Sequence, residues 1–242
     1  MRLPANNAVH VWIGRLGKDG CHREWNLLSL DERTRAKQFH FERDRVKFVR
    51  GRAALRRLLG DYLEIAPGVV GFHYGEYGKP ELDAGERCRL RFNVTHSGDV
   101  VAIAVTGGPA VGIDVEQTRP LADLDSLART CFSEHELMEF YELPVKTRLA
   151  AFYSGWTRKE ALLKALGSGL HCPLTDFDVT LDVNRPACLL RIHMDPAAAE
   201  RWQLHAFQPT TDYAGAVAVE RIGGAAATFE WYQLPGSGQA SA

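Results

Sequence analysis

Cysteine is scarce in this 242-residue chain, net charge is nearly absent and no apolar run is long. Each shortage excludes something. The five cysteines, Cys21, Cys88, Cys131, Cys172 and Cys188, are odd in number, scattered and free of Cys-x-x-Cys spacing. That pattern argues against a disulfide framework or a thiolate zinc site and suits reduced thiols in the cytoplasm. Nowhere do about 18 apolar residues run together, as an ordinary membrane span needs, and the first residues carry no secretory pattern. The expectation is a cytoplasmic protein that engages no membrane. A formal charge of −1 argues against general nucleic-acid binding, whose affinity comes from neutralising phosphates. Also missing are a Walker loop, a Gly-x-Gly-x-x-Gly after a strand and a Gly-x-Ser-x-Gly elbow.

What is present is local. Between Arg33 and Arg57 ten basic residues face two acids, Glu42 and Asp44. This is a basic helical stretch on a neutral protein, suited to a small polyanion. In Val111-Gly112-Ile113-Asp114-Val115-Glu116, two carboxylates alternate with apolar residues. A strand would turn both to one face, roughly 6–7 Å apart, where they can share a hard cation. In Trp156-Thr157-Arg158-Lys159-Glu160-Ala161-Leu162-Leu163-Lys164, Glu160 and Lys164 share a helix face at i,i+4. Alone, either pair is an ordinary solvated surface; together they describe a site for Mg²⁺, or Mn²⁺, and phosphate.

Helical spacing is expected from Asp31 to Pro67-Gly68, capped by Ser29 or Asp31, and from Leu121 to Gly167 with a break at Pro144. Strands are expected at 9–13, 69–74, 177–181, 188–194, 203–208 and 213–220. Residues 100–115 read as a hairpin through Thr106-Gly107-Gly108-Pro109. Gly75 to Pro80 reads as a turn, and Gly167-Ser168-Gly169-Leu170 as a glycine helix stop. Two stretches, Asp99 to Val105 and Asp212 to Val219, resemble each other and each follows a long helix, which suggests a duplicated unit. The expected division is 1–109, 110–235 and a frayed tail at 236–242.

Four segments occur in order: Gly78-Lys79-Pro80; Asn93-Val94-Thr95-His96-Ser97-Gly98; Gly112-Ile113-Asp114-Val115-Glu116; and Trp156-x-x-Lys159-Glu160-Ala161-x-x-Lys164-Ala165-x-Gly167-x-Gly169-Leu170. Together they resemble the 4′-phosphopantetheinyl transferases of the larger, monomeric surfactin-type class. The resemblance implies an α+β fold of two similar subdomains related by a pseudo-two-fold axis, each a small sheet packed with a long helix. It implies Mg²⁺-dependent transfer of phosphopantetheine from coenzyme A to a serine of an apo acyl or peptidyl carrier protein, with release of adenosine 3′,5′-bisphosphate. On that likeness Asp114, Glu116 and Glu160 hold Mg²⁺, and Lys164 contacts the diphosphate and stabilises the leaving group. Glu160, directly or through water, is the base. Arg35, Arg45 and His96 hold the 3′-phosphate, Gly78, Lys79 and Pro80 line the adenine side, and Asn93 and Thr95 complete the coenzyme A contacts. Thr95 stands where serine is usual and keeps the hydroxyl. Two other readings use the same residues: an Mg²⁺-dependent phosphodiesterase, which needs no carrier protein, and a non-catalytic coenzyme A binding protein.

Overall fold

The computed structural model describes residues 1–17, 20–75, 78–83, 89–167 and 172–234. The expected tail at 236–242, Glu76 and Tyr77 of the expected turn, Ser168 to Leu170 of the helix stop, and Cys88 lie outside them. Cys21, Cys131, Cys172 and Cys188 are free thiols. Among the described residues no helix is long and apolar enough to cross a membrane.

The fold is mixed α and β, built on two sheets. β1 (Ala8–Arg15), β4 (Arg91–Ser97), β5 (Val100–Thr106) and β11 (Thr228–Gln233) form the first, in the order β11-β1-β5-β4. β6 (Val111–Gln117), β9 (Trp202–Phe207) and β10 (Tyr213–Glu220) form the second, in the order β6-β10-β9. Two small ladders stand apart, β2 (Phe72–Tyr74) with β3 (Pro80–Leu82) and β7 (Phe177–Val179) with β8 (Leu189–Ile192).

The connectivity repeats. In each half a strand leads to a 22-residue helix, a two-stranded ladder and then a hairpin whose second strand inserts beside the first: β1, α3, β2–β3, β4, β5 and then β6, α6, β7–β8, β9, β10. Here α3 is Glu42–Leu63 and α6 is Val145–Leu166. Four short helices precede them, α1 (His22–Trp25) and α2 (Leu30–Lys37) before α3, and α4 (Leu124–Cys131) and α5 (Glu134–Glu142) before α6. β5 and β10 hold corresponding central positions, and both are apolar because both faces are covered; all seven residues of β5 are buried.

The expected hairpin at 100–115 does not form. β5 already has β1 on one edge and β4 on the other, so it has no free edge for β6, which joins the second sheet beside β10 instead. Strand β11 was not foreseen. Its alternation buries no face, so no period marks it, yet it crosses from the expected second unit to pair in parallel with β1, Ala8 opposite Thr228 through Ile13 opposite Gln233. The expected strand at 69–74 shrinks to β2, since Pro67–Val69 is a 3₁₀ turn. The expected helix from Asp31 divides after Lys37 into α2 and α3.

Each half has its own core. Leu55, Leu58, Leu59 and Tyr62 of α3 pack on Phe92, Val101 and Ile103. Phe152, Leu162 and Leu163 of α6 pack with Phe132, Phe140 and Phe177. A third cluster, including Val9, Val11, Ala102, Ala104, Ile113, Val115 and Val217, joins the two sheets. At roughly 1.5–3 kcal/mol for each fully buried Val or Ile, this shared cluster contributes enough to hold the halves in a fixed relation.

Candidate active site

β4 is the edge of the first sheet and β6 the edge of the second. Bare edges leave backbone groups unpaired, and here side chains rather than a ladder bridge them. Successive inward residues of β4 reach across to β6. Asn93 Oδ1 accepts from Ile113 N at 2.9 Å, Thr95 Oγ1 donates to Asp114 Oδ1 at 3.1 Å, and Ser97 Oγ donates to Glu116 Oε2 at 2.6 Å while accepting from Gln117 N at 3.1 Å. The period of two that put Asp114 and Glu116 on one face of β6 therefore matches a period of two on β4. The result is a crevice between the halves, floored by hydroxyls and carboxylates.

Helix α6 closes it. Gly112 lets the helix approach, since a Cβ there would lie 2.0 Å from Ala161 O and 2.4 Å from Ala165 N. That contact sets Lys164 beside Asp114, two residues along the strand. Lys164 Nζ donates to Asp114 Oδ1 at 2.6 Å and lies 3.4 Å from Thr95 Oγ1. Asp114 is 3% exposed, and its second oxygen, Oδ2, has no hydrogen-bond partner. A buried acceptor left open in this way asks for a ligand.

Glu160, half-buried one turn before Lys164, feels the same charges. Burial pushes its carboxyl pKa up, with Lys164 opposing and Asp114 and Glu116 adding to the rise. The carboxyl of Glu116 is also raised by burial; the Ser97 hydroxyl opposes this, Asp114 adds to it, and Lys164 and the Trp156 side chain oppose it. Three carboxylates thus share one field with a single ammonium. Among the described residues no three His, Cys, Asp or Glu side chains are gathered as a ready-made metal cage. The donor chemistry nonetheless fits a hard divalent cation: all oxygen, like charges that a cation would relieve, and an unsatisfied Asp114 Oδ2.

A second group is basic. His96 points to the other face of β4, where burial and the positive charges of Lys47, Lys164 and Arg52 lower its pKa. Arg52 is 9% exposed, lies 3.9 Å from Glu32, and keeps an Nη1 without a hydrogen-bond partner. Its guanidinium sits over the rings of Phe48, Phe72 and Tyr74 at 5.7–5.9 Å. Arg35 lies on the Phe48 ring as well, at 5.6 Å, and so joins this group. Arg45 does not. It pairs with Glu42 in the first turn of α3 and acts electrostatically on Cys21. Lys47 and Arg52 are therefore the members of the basic run that meet His96, and sequence reasoning missed them among ten candidates. The available signal was Arg52 at i+4 from Phe48, an arginine positioned to stack on an aromatic ring of its own helix.

Gly78 takes φ +75° in the turn between β2 and β3, where Gly75 N donates to Lys79 O at 3.0 Å. Lys79 Nζ, its pKa lowered chiefly by burial, donates to Lys164 O at 2.6 Å, which ties the turn to the C-terminal end of α6. Pro80 opens β3 beside it. Lys159, the residue before Glu160, faces away from the crevice. It is wholly buried, 2.7 Å from Glu136 Oε2, and donates to Leu174 O and Phe177 O.

Fold and crevice define a two-halved α+β protein whose acidic, lysine-bearing site lies at the seam between the halves. Residues 110–218 match the model of the 4′-phosphopantetheinyl transferase superfamily, and residues 18–107 match that of the 4′-phosphopantetheinyl transferase N-terminal region. The chain is 38% identical over 223 residues to the 4′-phosphopantetheinyl transferase HetI of Nostoc sp., with 90% of each chain covered. It is 28% identical over 248 residues to a phosphopantetheinyl transferase of Thraustochytrium sp., covering 95% of this chain and 85% of that one. It is also 28% identical over 166 residues to the 4′-phosphopantetheinyl transferase Sfp of Bacillus subtilis, covering 69% and 72%. The chain belongs to the 4′-phosphopantetheinyl transferase superfamily, in the larger Sfp-like class.

Proposed function

We propose that the protein moves the 4′-phosphopantetheine group of coenzyme A onto a serine hydroxyl of an apo carrier protein and releases adenosine 3′,5′-bisphosphate. The observation that carries this reading is the convergence of Asp114, Glu116, Glu160 and Lys164 on one crevice. In-line attack on a diphosphate needs negative charge neutralised on the phosphoryl oxygens and on the leaving group. Lys164 supplies a fixed positive charge for the leaving side. Glu160 accepts the serine proton. Asp114, Glu116 and Glu160 would hold Mg²⁺, or Mn²⁺ in its place, and the bound ion supplies further charge neutralisation at the diphosphate.

Lys47, Arg52, Arg35 and His96 are suited to the 3′-phosphate, in place of the expected Arg45. Tyr74, Gly78, Lys79 and Pro80 adjoin them on the nucleoside side. Asn93 orders the β4–β6 seam, and Thr95 keeps the hydroxyl beside Lys164. The repeated connectivity supports a pseudo-two-fold relation between residues 1–109 and 110–235, apart from β11. A chain with both walls of the site needs no second copy, so the reading is of a monomer acting in the cytoplasm on coenzyme A and a carrier protein, without nucleic acid or membrane.

The test is intact-mass spectrometry of an apo carrier protein incubated with the enzyme, coenzyme A and Mg²⁺, beside an EDTA control. A metal-dependent gain of one phosphopantetheine on the carrier supports the proposal. Cleavage of coenzyme A without carrier modification would support the phosphodiesterase instead, and intact coenzyme A with several carrier classes would leave a binding protein.

A further inference from the structure

One tyrosine reaches across the seam from outside the crevice. β5 and β10 hold corresponding places in the two halves, so Tyr213, the residue after Asp212, answers to Val100, the residue after Asp99. Both are buried in the cluster between the sheets, Tyr213 at 3% exposure and Val100 at 1%. Packing in that place therefore asks only for an apolar side chain. The Tyr213 hydroxyl is an addition, and it grips the other half: Oη donates to Asp99 Oδ1 at 2.8 Å and accepts from Asp99 N at 3.2 Å.

Asp99 lies in the turn between β4 and β5. Its own half holds it through Arg15 Nη1, which donates to Oδ2 at 2.7 Å, and Leu16 N, which donates to its carbonyl oxygen at 2.6 Å. Gly98 permits the approach of Tyr213, since a Cβ there would lie 2.2 Å from Tyr213 Oη and 2.7 Å from Gln117 Oε1. Before it stands Ser97, the last residue of β4. Gln117 N donates to the Ser97 hydroxyl at 3.1 Å, so the single hydroxyl proton goes to Glu116 Oε2, at 2.6 Å. Asn93 and Thr95 sit inside the β4–β5 ladder, whereas Ser97 sits where that ladder ends, opposite Val100. Its position depends on the turn, and Tyr213 holds the turn. Tyr213 also stands opposite Gln117 in the β6–β10 pair, so the tie is anchored at the end of β6 that carries Glu116.

We infer that Tyr213 is a positioning residue for Glu116, acting through Asp99 and the Ser97 hydroxyl. The inference rests on the reading of Glu116 as a ligand to a divalent cation. With the tie in place, Ser97 presents its proton to one oxygen of Glu116 and fixes the direction of that carboxylate. Without it the turn can shift and Glu116 loses that direction, although no group of the crevice has been removed. The effect belongs to cation affinity, because partners that orient a ligand act on how tightly the ion is held.

The test is Mn²⁺ binding with coenzyme A saturating, read by electron paramagnetic resonance of the free ion, for the unaltered protein and for Tyr213→Phe, which keeps the buried ring. The expected result is a Kd for Mn²⁺ raised about tenfold, with near-ultraviolet circular dichroism unchanged and, in carrier modification, a KM for Mg²⁺ that rises more than kcat falls. Ser97→Ala is expected to weaken Mn²⁺ binding at least as much, and the double variant no more than Ser97→Ala alone, because both changes break one chain of contacts. Unchanged Mn²⁺ affinity in Tyr213→Phe, or losses that add in the double variant, overturn the inference. Linkage gives a second test that needs no variant. A tie that favours cation binding must itself be favoured by the cation, so hydrogen exchange at the Asp99 amide should be slower with Mg²⁺ and coenzyme A than with coenzyme A alone. Equal exchange in the two states overturns the inference whether or not the variants fold. If the unaltered protein binds no Mn²⁺, the reading of the carboxylates falls and the inference with it; if every variant binds it as the unaltered protein does, that reading stands and only the inference falls.

Discussion

Among single residues, Asp114 carries the most. One oxygen is held by Lys164 and Thr95 and the other is open, so its loss takes away the ion-pair partner of Lys164 and removes a donor to any cation. Asp114→Ala and Glu160→Ala are expected to lower transfer by at least about 10²–10³-fold, the scale of losing one charge-stabilising group, with circular dichroism unchanged. Near-normal turnover in a folded variant would remove that residue from the mechanism. For Glu160 the pH dependence has a definite sign. A base must be ionised, and a carboxyl raised above its ordinary value loses its charge at a higher pH as the solution is acidified. In the metal-free protein the Glu160 carboxyl should therefore titrate above the usual carboxylate range, and added Mg²⁺ should bring it down. Lys164→Met removes the cation that holds Glu160 down, so its carboxyl, followed by carbon-13 NMR, should titrate higher still. Asp114, Glu116, Glu160 and Lys164 were legible in the sequence, because Asp-x-Glu on a strand and Glu-x-x-x-Lys on a helix each imply a direction. Arg45 and Arg52 were not separable in that way. Which of ten basic residues reaches His96 depends on how α3 rests on β4, and a helix that is basic on several sides does not announce it.

At the level of elements, the contact of α6 with β6 decides the geometry. Gly112→Ala puts a methyl group against the backbone of Ala161 and Ala165, which cannot yield as a side chain does. About 1–3 kcal/mol of destabilisation is expected from such overpacking, together with a loss of activity larger than the loss of stability implies, since the helix carries both Glu160 and Lys164. A thermal melt run beside a turnover assay checks both. The other face of α6 is secured by Lys159 and Glu136. Breaking a buried pair by removing one partner costs about 3–5 kcal/mol, so Lys159→Met should lower the melting temperature sharply, and a second change, Glu136→Gln, should recover part of it. The motif Trp-x-x-Lys-Glu thus splits its labour, Glu160 to the crevice and Lys159 to the core. Most elements were legible from their periods or apolar runs; β10 spans the residues 213–220 expected for it. The hairpin expected at 100–115 failed for a reason outside local sequence: two apolar strands joined by a Gly-Pro turn look adjacent, but β4, brought back by its own hairpin, already occupies the edge of β5.

For the molecule as a whole, the site belongs to neither half. β4 supplies the hydroxyls, β6 and α6 the carboxylates and lysine, and the cluster of Val9, Val11, Ala102, Ile113 and Val217 keeps the two edges at hydrogen-bonding distance. The strand β11 reinforces this arrangement from the far side of the first sheet. Ending the chain after Ile222 removes β11 and strips β1 of a neighbour. The expected outcome is loss of the cooperative melt and association through the bared strand, read by calorimetry and size-exclusion chromatography; a monomeric, fully active product would contradict it.

The parallel pairing of β1 with β11 joins positions 220 residues apart in sequence, Ala8 with Thr228. A growing chain emerges from the ribosome in order, so β1 is made long before its partner β11. Until then the first sheet has an open side, and the nascent protein is both incomplete and exposed to pairing with other chains. Quality control is therefore written into the topology: a chain that stops short of Thr228 carries every residue of the crevice and no finished scaffold to hold it.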